Sequence, residues 1–216
     1  MIVTKKKKFS DIRKFLPHGK RILVAGCGIC AAHCKTGDEK AVEEMVKKLR
    51  VAGYRVAGSY VFDGPCQLAA IRQGFRDIGD LKYDIILSLS CGTGTQMLGE
   101  YANVMAYPGL DTTFAGSVQV GPNITEYCRL CGNCVLHMTA GICPRFRCSK
   151  SLVNGPCGGT TNGKCDKDGV TPCGWALIYE RSKELGVELA IFSTYSPPKT
   201  FTHHPHQAVV SRDEEE

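Results

Sequence analysis

From residue 21 to residue 107 the apolar positions switch repeatedly between short continuous runs and a helical spacing. Arg21 to Ala25 is an apolar run closed by Gly26. After a turn, Ala41, Val42, Met45, Val46 and Leu49 recur on one helix face within Asp38 to Arg50, which predicts a strand followed by an amphipathic helix. Tyr54 to Phe62 then reads as a strand, Gln67 to Ile78 as a helix and Tyr83 to Ser90 as a strand. Thr95 to Asn103 reads as a helix leading into Val104 to Tyr107. Strands and helices that alternate with short connections predict a small parallel, Rossmann-like α/β sheet in three layers with right-handed crossovers.

Past about residue 110 this alternation stops. Residues 121–174 are rich in Gly, Pro and Asn and show no sustained apolar period, so they predict a loop-dominated segment with too little core to fold by burial alone. A last helix, Gly174 to Leu185, carries Trp175, Ile178 and Tyr179 and is expected to pack back onto the α/β unit. The chain is thus read in four parts: a basic arm over 1–20, an α/β domain over 21–115, a cysteine-rich metal-binding domain over 116–190 and a flexible tail over 191–216. The tail contains Ser196-Pro197-Pro198, then His203-His204-Pro205-His206 and Glu214 to Glu216, and its histidines read as exposed polar residues rather than ligands.

With 216 residues, 43% hydrophobic and 22% charged, the chain suits one globular domain or two small ones. No stretch approaches the roughly 18 consecutive apolar residues of a spanning helix, and the first residues lack an apolar signal core, so a soluble, cytoplasmic protein with no membrane partner is expected. The net charge of +6 owes much to the single run Lys5-Lys6-Lys7-Lys8. One local run fits a solvated or partner-steering arm; nucleic acid usually meets basic residues spread over a face, and no nucleic-acid partner is expected.

Thirteen cysteines change the picture more than any other count. At this density in a reducing compartment, thiols persist as metal ligands, redox groups or buried small apolar residues, and an odd number argues against complete pairing. Cys27-x2-Cys30-x3-Cys34 follows the first strand, Cys66 follows the second in Asp63-Gly64-Pro65-Cys66, and Cys91 follows the third in Ser90-Cys91-Gly92. In a parallel sheet all three strand ends open on one edge, where open α/β folds hold their ligands. Five thiols therefore converge, and a cubane cluster needs four. Two other readings stand beside this one. Gly26-x-Gly28-x-x-Ala31 matches the letters of a dinucleotide fingerprint, and Cys91-Gly92-Thr93-Gly94-Thr95 is able to cradle a phosphate. Against these, the clear helical period begins only near Asp38, and Asp63 comes late for the acidic residue expected about 20 positions on. The thiols also have the reading of buried core residues.

Cys128-x2-Cys131-x2-Cys134 is the strongest local signal, because three thiolates in one tight loop bind three irons of a [4Fe-4S] cubane. Met138 stands where a bacterial ferredoxin run has its fourth cysteine, and the next one, Cys143, is followed by Pro144 as the ferredoxin cysteine is. With Cys148, Cys157, Cys165 and Cys173 these make eight thiols, enough for two clusters or for one cluster and one structural zinc. His137 reads as a supporting donor or a surface group rather than a ligand. Arg129, Arg145, Arg147, Lys150 and the N–H groups of the Gly158-Gly159 turn would offset the negative charge of a cluster, or simply solubilise the loops. No Glu or His constellation is set for acid–base work, and nothing in the chain is long enough to form a barrel.

Cys143-Pro144-Arg145-Phe146-Arg147-Cys148-Ser149-Lys150-Ser151-Leu152-Val153-Asn154-Gly155-Pro156-Cys157-Gly158-Gly159, with Gly163-Lys164-Cys165, Pro172-Cys173-Gly174-Trp175 and Tyr179-Glu180-Arg181, resembles the methylenetetrahydrofolate reductase C-terminal family. Together with the Gly26 to Cys34 loop and Ser90-Cys91-Gly92-x-Gly94-x-Gln96, the chain from about 20 to 190 is similar to the MetV-type iron-sulfur small subunits of that enzyme. The resemblance implies a bacterial, typically anaerobic protein with two or three [4Fe-4S] clusters, or zinc in place of one. It also implies a flavin-containing TIM-barrel partner that reduces 5,10-methylenetetrahydrofolate to 5-methyltetrahydrofolate, in acetogens a step of the Wood-Ljungdahl pathway. On this view the chain is an oxidoreductase subunit without a complete active site, relaying electrons from a donor module to the partner's flavin. The alternative is a structural subunit whose metals only hold the fold.

Overall fold

The computed structural model describes residues 1–118, 123–131 and 134–192 and divides into two compact units, Met1–Glu126 and Tyr127–Glu216. The proposed tail histidines and the Ser196 segment lie outside the described residues.

The first unit opens with β1 (Ile2–Lys6) and α1 (Phe9–Phe15). The segment 1–20, read as a basic arm, is therefore folded: Val3 and Thr4 are buried in β1 while Lys5 and Lys6 face out, and α1 buries Ile12, with Leu16 beside it. There follow β2 (Arg21–Cys27), α2 (Cys30–His33), α3 (Glu39–Val51), β3 (Arg55–Phe62), α4 (Leu68–Ile78), β4 (Ile85–Leu89), α5 (Gly92–Ala102) and β5 (Ala106–Pro108). The strands form a parallel sheet in the order β3-β2-β4-β5, as the alternating pattern predicts. Successive residues of β2 feed opposite faces. Ile22 and Val24 pack with Val42, Met45, Val46 and Leu49 of α3 and with Ile12 of α1, whereas Leu23 and Ala25 pack with Phe62, Ile71 of α4 and Leu98 of α5. Helix α3 starts where the Asp38 carboxylate accepts a hydrogen bond from Ala41 N at 3.1 Å.

Three strands of this unit fall outside the sequence prediction: β1 and two further ones. β6 (Leu110–Val118) pairs antiparallel with β1, and β7 (Ile124–Cys128) completes a sheet in the order β1-β6-β7. The α/β unit thus runs to Glu126 rather than ending at 115.

In the second unit regular structure is sparse. It comprises α6 (Pro144–Arg147), the two-residue strands β8 (Thr160–Thr161) and β9 (Lys164–Cys165), and α7 (Gly174–Leu185), which matches the predicted last helix. Among the described residues its buried apolar cluster is Cys148, Trp175, Ile178 and Ile191, with Met138, Ile142, Leu152, Cys173 and Leu189 partly covered around it. Among the described residues Val135, Val153 and Cys165 are also buried in this unit, and a core of this size leaves room for a metal or another staple to add stability.

Candidate metal centres

At the carboxyl edge of the parallel sheet, Cys27 is the last residue of β2 and is buried. Cys30 opens α2, and Cys91 is the residue before α5. Cys66 sits in the turn after β3, a turn held by Gly64 N donating to Phe62 O at 2.9 Å. Two close approaches bring these loops together. Gly28 N donates to Phe62 O at 2.8 Å. Gly94 lies so near the Cys66 turn that a Cβ there would stand 3.0 Å from Pro65 Cγ. Cys66 is exposed at the surface yet packed on its inner side. That partial burial pushes its thiol above the ordinary value against a hydrogen bond from its own N–H, and the charges of Cys91, Cys27 and Cys30 push the same way. Those four thiols share one neighbourhood.

Cys34 follows one helical turn after Cys30, donating its N–H to Cys30 O at 3.2 Å. It ends α2, and its Sγ lies 4.0 Å from Ile2 O of β1. The chain then turns through Lys35, at φ +54°, and returns so that Gly37 O accepts from Cys27 N at 2.8 Å. This return loop crosses the edge where a dinucleotide would lie: a Cβ on Gly37 would stand 2.1 Å from Leu89 O. Asp63 comes directly after β3 ends at Phe62, the strand end at which an acidic ribose ligand is expected, so its late arrival in sequence reflects the long α2–α3 insertion.

In the second unit four cysteines line one cavity of about 270 Å³: Cys148, Cys157, Cys165 and Cys173. Each is fixed by a different element. Cys148 ends α6 and Cys173 precedes α7, and the two helices touch because residue 174 has no side chain. A Cβ on Gly174 would stand 2.6 Å from the Arg147 carbonyl carbon and 2.7 Å from Cys148 N. Cys165 ends β9 and is buried. Cys157 lies in the exposed Asn154-Gly155-Pro156-Cys157 turn, where Gly159 N donates to its sulfur at 3.4 Å. The Cys173 thiol is disfavoured as an anion by burial. Hydrogen bonds from the Thr160 hydroxyl and from Ala176 and Trp175 N–H outweigh this and bring it below its ordinary value, as expected of a ligand at a helix N-terminus.

Lys150 reaches the same cavity. Its Nζ donates to Cys157 Sγ at 3.4 Å and contacts both carboxylate oxygens of Asp166, at 2.7 and 2.8 Å. The Asp166 carboxylate, then the Cys157 sulfur, push the Lys150 ammonium above its ordinary value, and Lys150 in turn holds Asp166 below its own. Cys165 Sγ lies 3.7 Å from Asp166 Oδ1. The sequence reading included Lys150 among cations near a cluster but missed Asp166, whose only signal is its place directly after a cysteine.

Cys128 ends β7 and Cys131 and Cys134 follow it, with Leu130 at φ +53° donating its N–H to Cys128 Sγ at 3.3 Å. Residues 132 and 133 lie outside the described residues. Cys143 is the residue before α6. Two positions beyond it, Arg145 is 4% exposed, and neither its Nε nor its Nη2 has a hydrogen-bond partner. A buried guanidinium without an anion is costly, so its surroundings suit a negatively charged group. His137 is exposed.

Among the described residues, no three Cys, His, Asp or Glu side chains are gathered closely enough to share one metal ion. A tetrahedral zinc, with Zn–S bonds near 2.3 Å, would draw its thiolates to about 3.8 Å from one another. Cys148, Cys157, Cys165 and Cys173 instead stand round a space of about 270 Å³. Among the described residues no helix is long and apolar enough to cross a membrane.

Residues 107–202 match the family model described as methylene-tetrahydrofolate reductase C terminal. The match takes in β6 and β7, α6 and α7, and all eight of the later cysteines. The match makes this segment similar to the C-terminal part of that reductase. No curated protein and no solved structure matches the chain.

Proposed function

We propose, from the premise that residues 107–202 carry a methylenetetrahydrofolate reductase C-terminal sequence, that this chain is the iron-sulfur subunit of such a reductase, of the MetV type. Its role is to pass electrons to the flavin of a TIM-barrel partner that reduces 5,10-methylenetetrahydrofolate. The observation that carries the reading is the four-cysteine cavity inside the matched segment.

The cysteines divide into three sets of four. Cys148, Cys157, Cys165 and Cys173 hold one group, because they line one cavity. Of the eight later thiols this leaves Cys128, Cys131, Cys134 and Cys143 for a second, beside the buried Arg145. Cys27, Cys30, Cys66 and Cys91 hold a third at the sheet edge, and Cys34 is the odd thiol. A [4Fe-4S] group supplies one-electron capacity between a donor and the flavin. The chain's own residues do the rest. The thiolates bind, with Cys173 favoured as an anion by the α7 N-terminus. Trp175 closes its side of the cavity, anchored by Nε1 donating to Leu152 O at 3.2 Å. Gly159 N–H and Lys150 offset negative charge at Cys157. The cavity's volume, about 270 Å³, supports a group of several atoms over a single zinc ion.

The test is iron, zinc and acid-labile sulfide per chain on anaerobically purified protein, with an electron paramagnetic resonance spectrum after dithionite. Four thiolates bind each cubane, so about four irons are expected per set and about twelve in all, with equal sulfide. Cys157→Ser and Cys131→Ser should each remove about four. Zinc without sulfide, or a protein that binds the partner while silent to dithionite, would overturn the relay and leave a structural subunit.

A further inference from the structure

Cys157 is the exposed member of its set, and two donors converge on its sulfur: Gly159 N at 3.4 Å and Lys150 Nζ at 3.4 Å. A surface lysine is ordinarily free to swing away. Here Asp166 contacts it through both oxygens, and the Asp166 backbone is tied to the Gly159 turn. Asp166 N donates to Gly159 O at 2.9 Å, and a Cβ on Gly159 would stand 2.2 Å from Asp166 Oδ2, so the carboxylate occupies the space that a side chain at 159 would take. The pair lines the cavity with opposite charges near different thiols: the ammonium at Cys157, the carboxylate 3.7 Å from Cys165 Sγ.

We propose that Lys150 and Asp166 are positioning residues that set the reduction potential of the group held by Cys148, Cys157, Cys165 and Cys173. The inference rests on the iron-sulfur reading above. Reduction adds one electron to the group, breaks no bond and leaves the lysine protonated. The added charge is stabilised by the ammonium and by N–H donors to sulfur, which raise the potential, and is opposed by the carboxylate, which lowers it.

A bare salt bridge at this surface would be worth little, and breaking it from either end would have the same consequence. A charge field makes the two ends opposite in sign, and this separates the two explanations. The experiment is a dithionite titration of the full chain, followed by electron paramagnetic resonance on the signal that Cys157→Ser abolishes, with iron and sulfide counted in every variant. Lys150→Met, which keeps the apolar stem, should lower the midpoint potential, and Lys150→Gln should do the same. Asp166→Asn should raise it, and Lys150→Arg should stay near wild type. Shifts of the same sign in Lys150→Met and Asp166→Asn, or no shift in either with iron retained, overturn the proposal. So does loss of iron in both Lys150→Met and Lys150→Gln, which would make the lysine a scaffold for the site. A wild-type chain without sulfide is a different result: it removes the iron-sulfur reading itself.

Discussion

Replacing Gly174 by alanine puts a methyl group where the backbone of α6 already lies. The new Cβ would stand 2.6 Å from the Arg147 carbonyl carbon and 2.7 Å from both Arg147 O and Cys148 N. Comfortable carbon contacts are about 3.5–4.0 Å, so α7 must retreat from α6 by about 1 Å, with backbone rather than a yielding side chain on the other side. Overpacking of this kind costs about 1–3 kcal/mol. In a unit this small each kcal/mol moves Tm by about 4–8 °C. The displacement also separates Cys148 from Cys173, the two cavity thiols that flank the helix contact. Expected together are a lower Tm and loss of the iron assigned to this set, read by calorimetry and by iron and sulfide counts on the same anaerobic sample. Wild-type Tm and full iron in Gly174→Ala would refute the argument that this backbone contact sets the spacing of the ligands.

Cys34→Ser should leave iron and sulfide at the wild-type level, whereas Cys66→Ser should lose one set; equal losses in the two would return Cys34 to the ligands. Acid should weaken the fold through carboxylates that the native state holds below their usual range. Asp84, bound by the Arg21 guanidinium and backbone N–H, is lowered to about 2, and Asp168, bound by the Thr171 hydroxyl and the N–H groups of Thr171 and Val170, is also lowered to about 2. A depressed carboxylate stabilises the native state fully above its unfolded value, near 3.8, and that share is lost as pH falls toward about 2. Tm should therefore fall across that window, and Asp84→Asn should flatten its part of the slope; an unchanged slope would show that the Arg21 contact does not persist in solution.

The parallel sheet was legible because its strands are short apolar runs and its helices carry a clean face, as in Ala41, Val42, Met45, Val46 and Leu49. The β1-β6-β7 sheet was not. In β1 the two buried positions, Val3 and Thr4, are adjacent and lead directly into the lysine run, and β6 begins Leu110-Asp111-Thr112-Thr113 with a single buried residue. The omission bears on the site as well: Cys34 reads as a ligand from its spacing to Cys27 and Cys30, and its Sγ also approaches Ile2 O of the strand hidden behind the lysines, at 4.0 Å. Likewise, the spacing of the eight later cysteines shows that there are enough for two sites but not how they divide. Their division depends on α6 meeting α7 at Gly174, a contact between residues far apart in the chain.

Arg145 bears on how the protein is made. Its guanidinium is shut away from water with two nitrogens unpartnered, a state that a finished molecule relieves only with an anion beside it. On the proposed assignment that anion arrives with the inorganic cofactor, so polypeptide that has not received it carries an internal penalty at α6. Loading and folding of this unit would then be coupled, and limited proteolysis should cleave protein that lacks the group faster than protein that holds it.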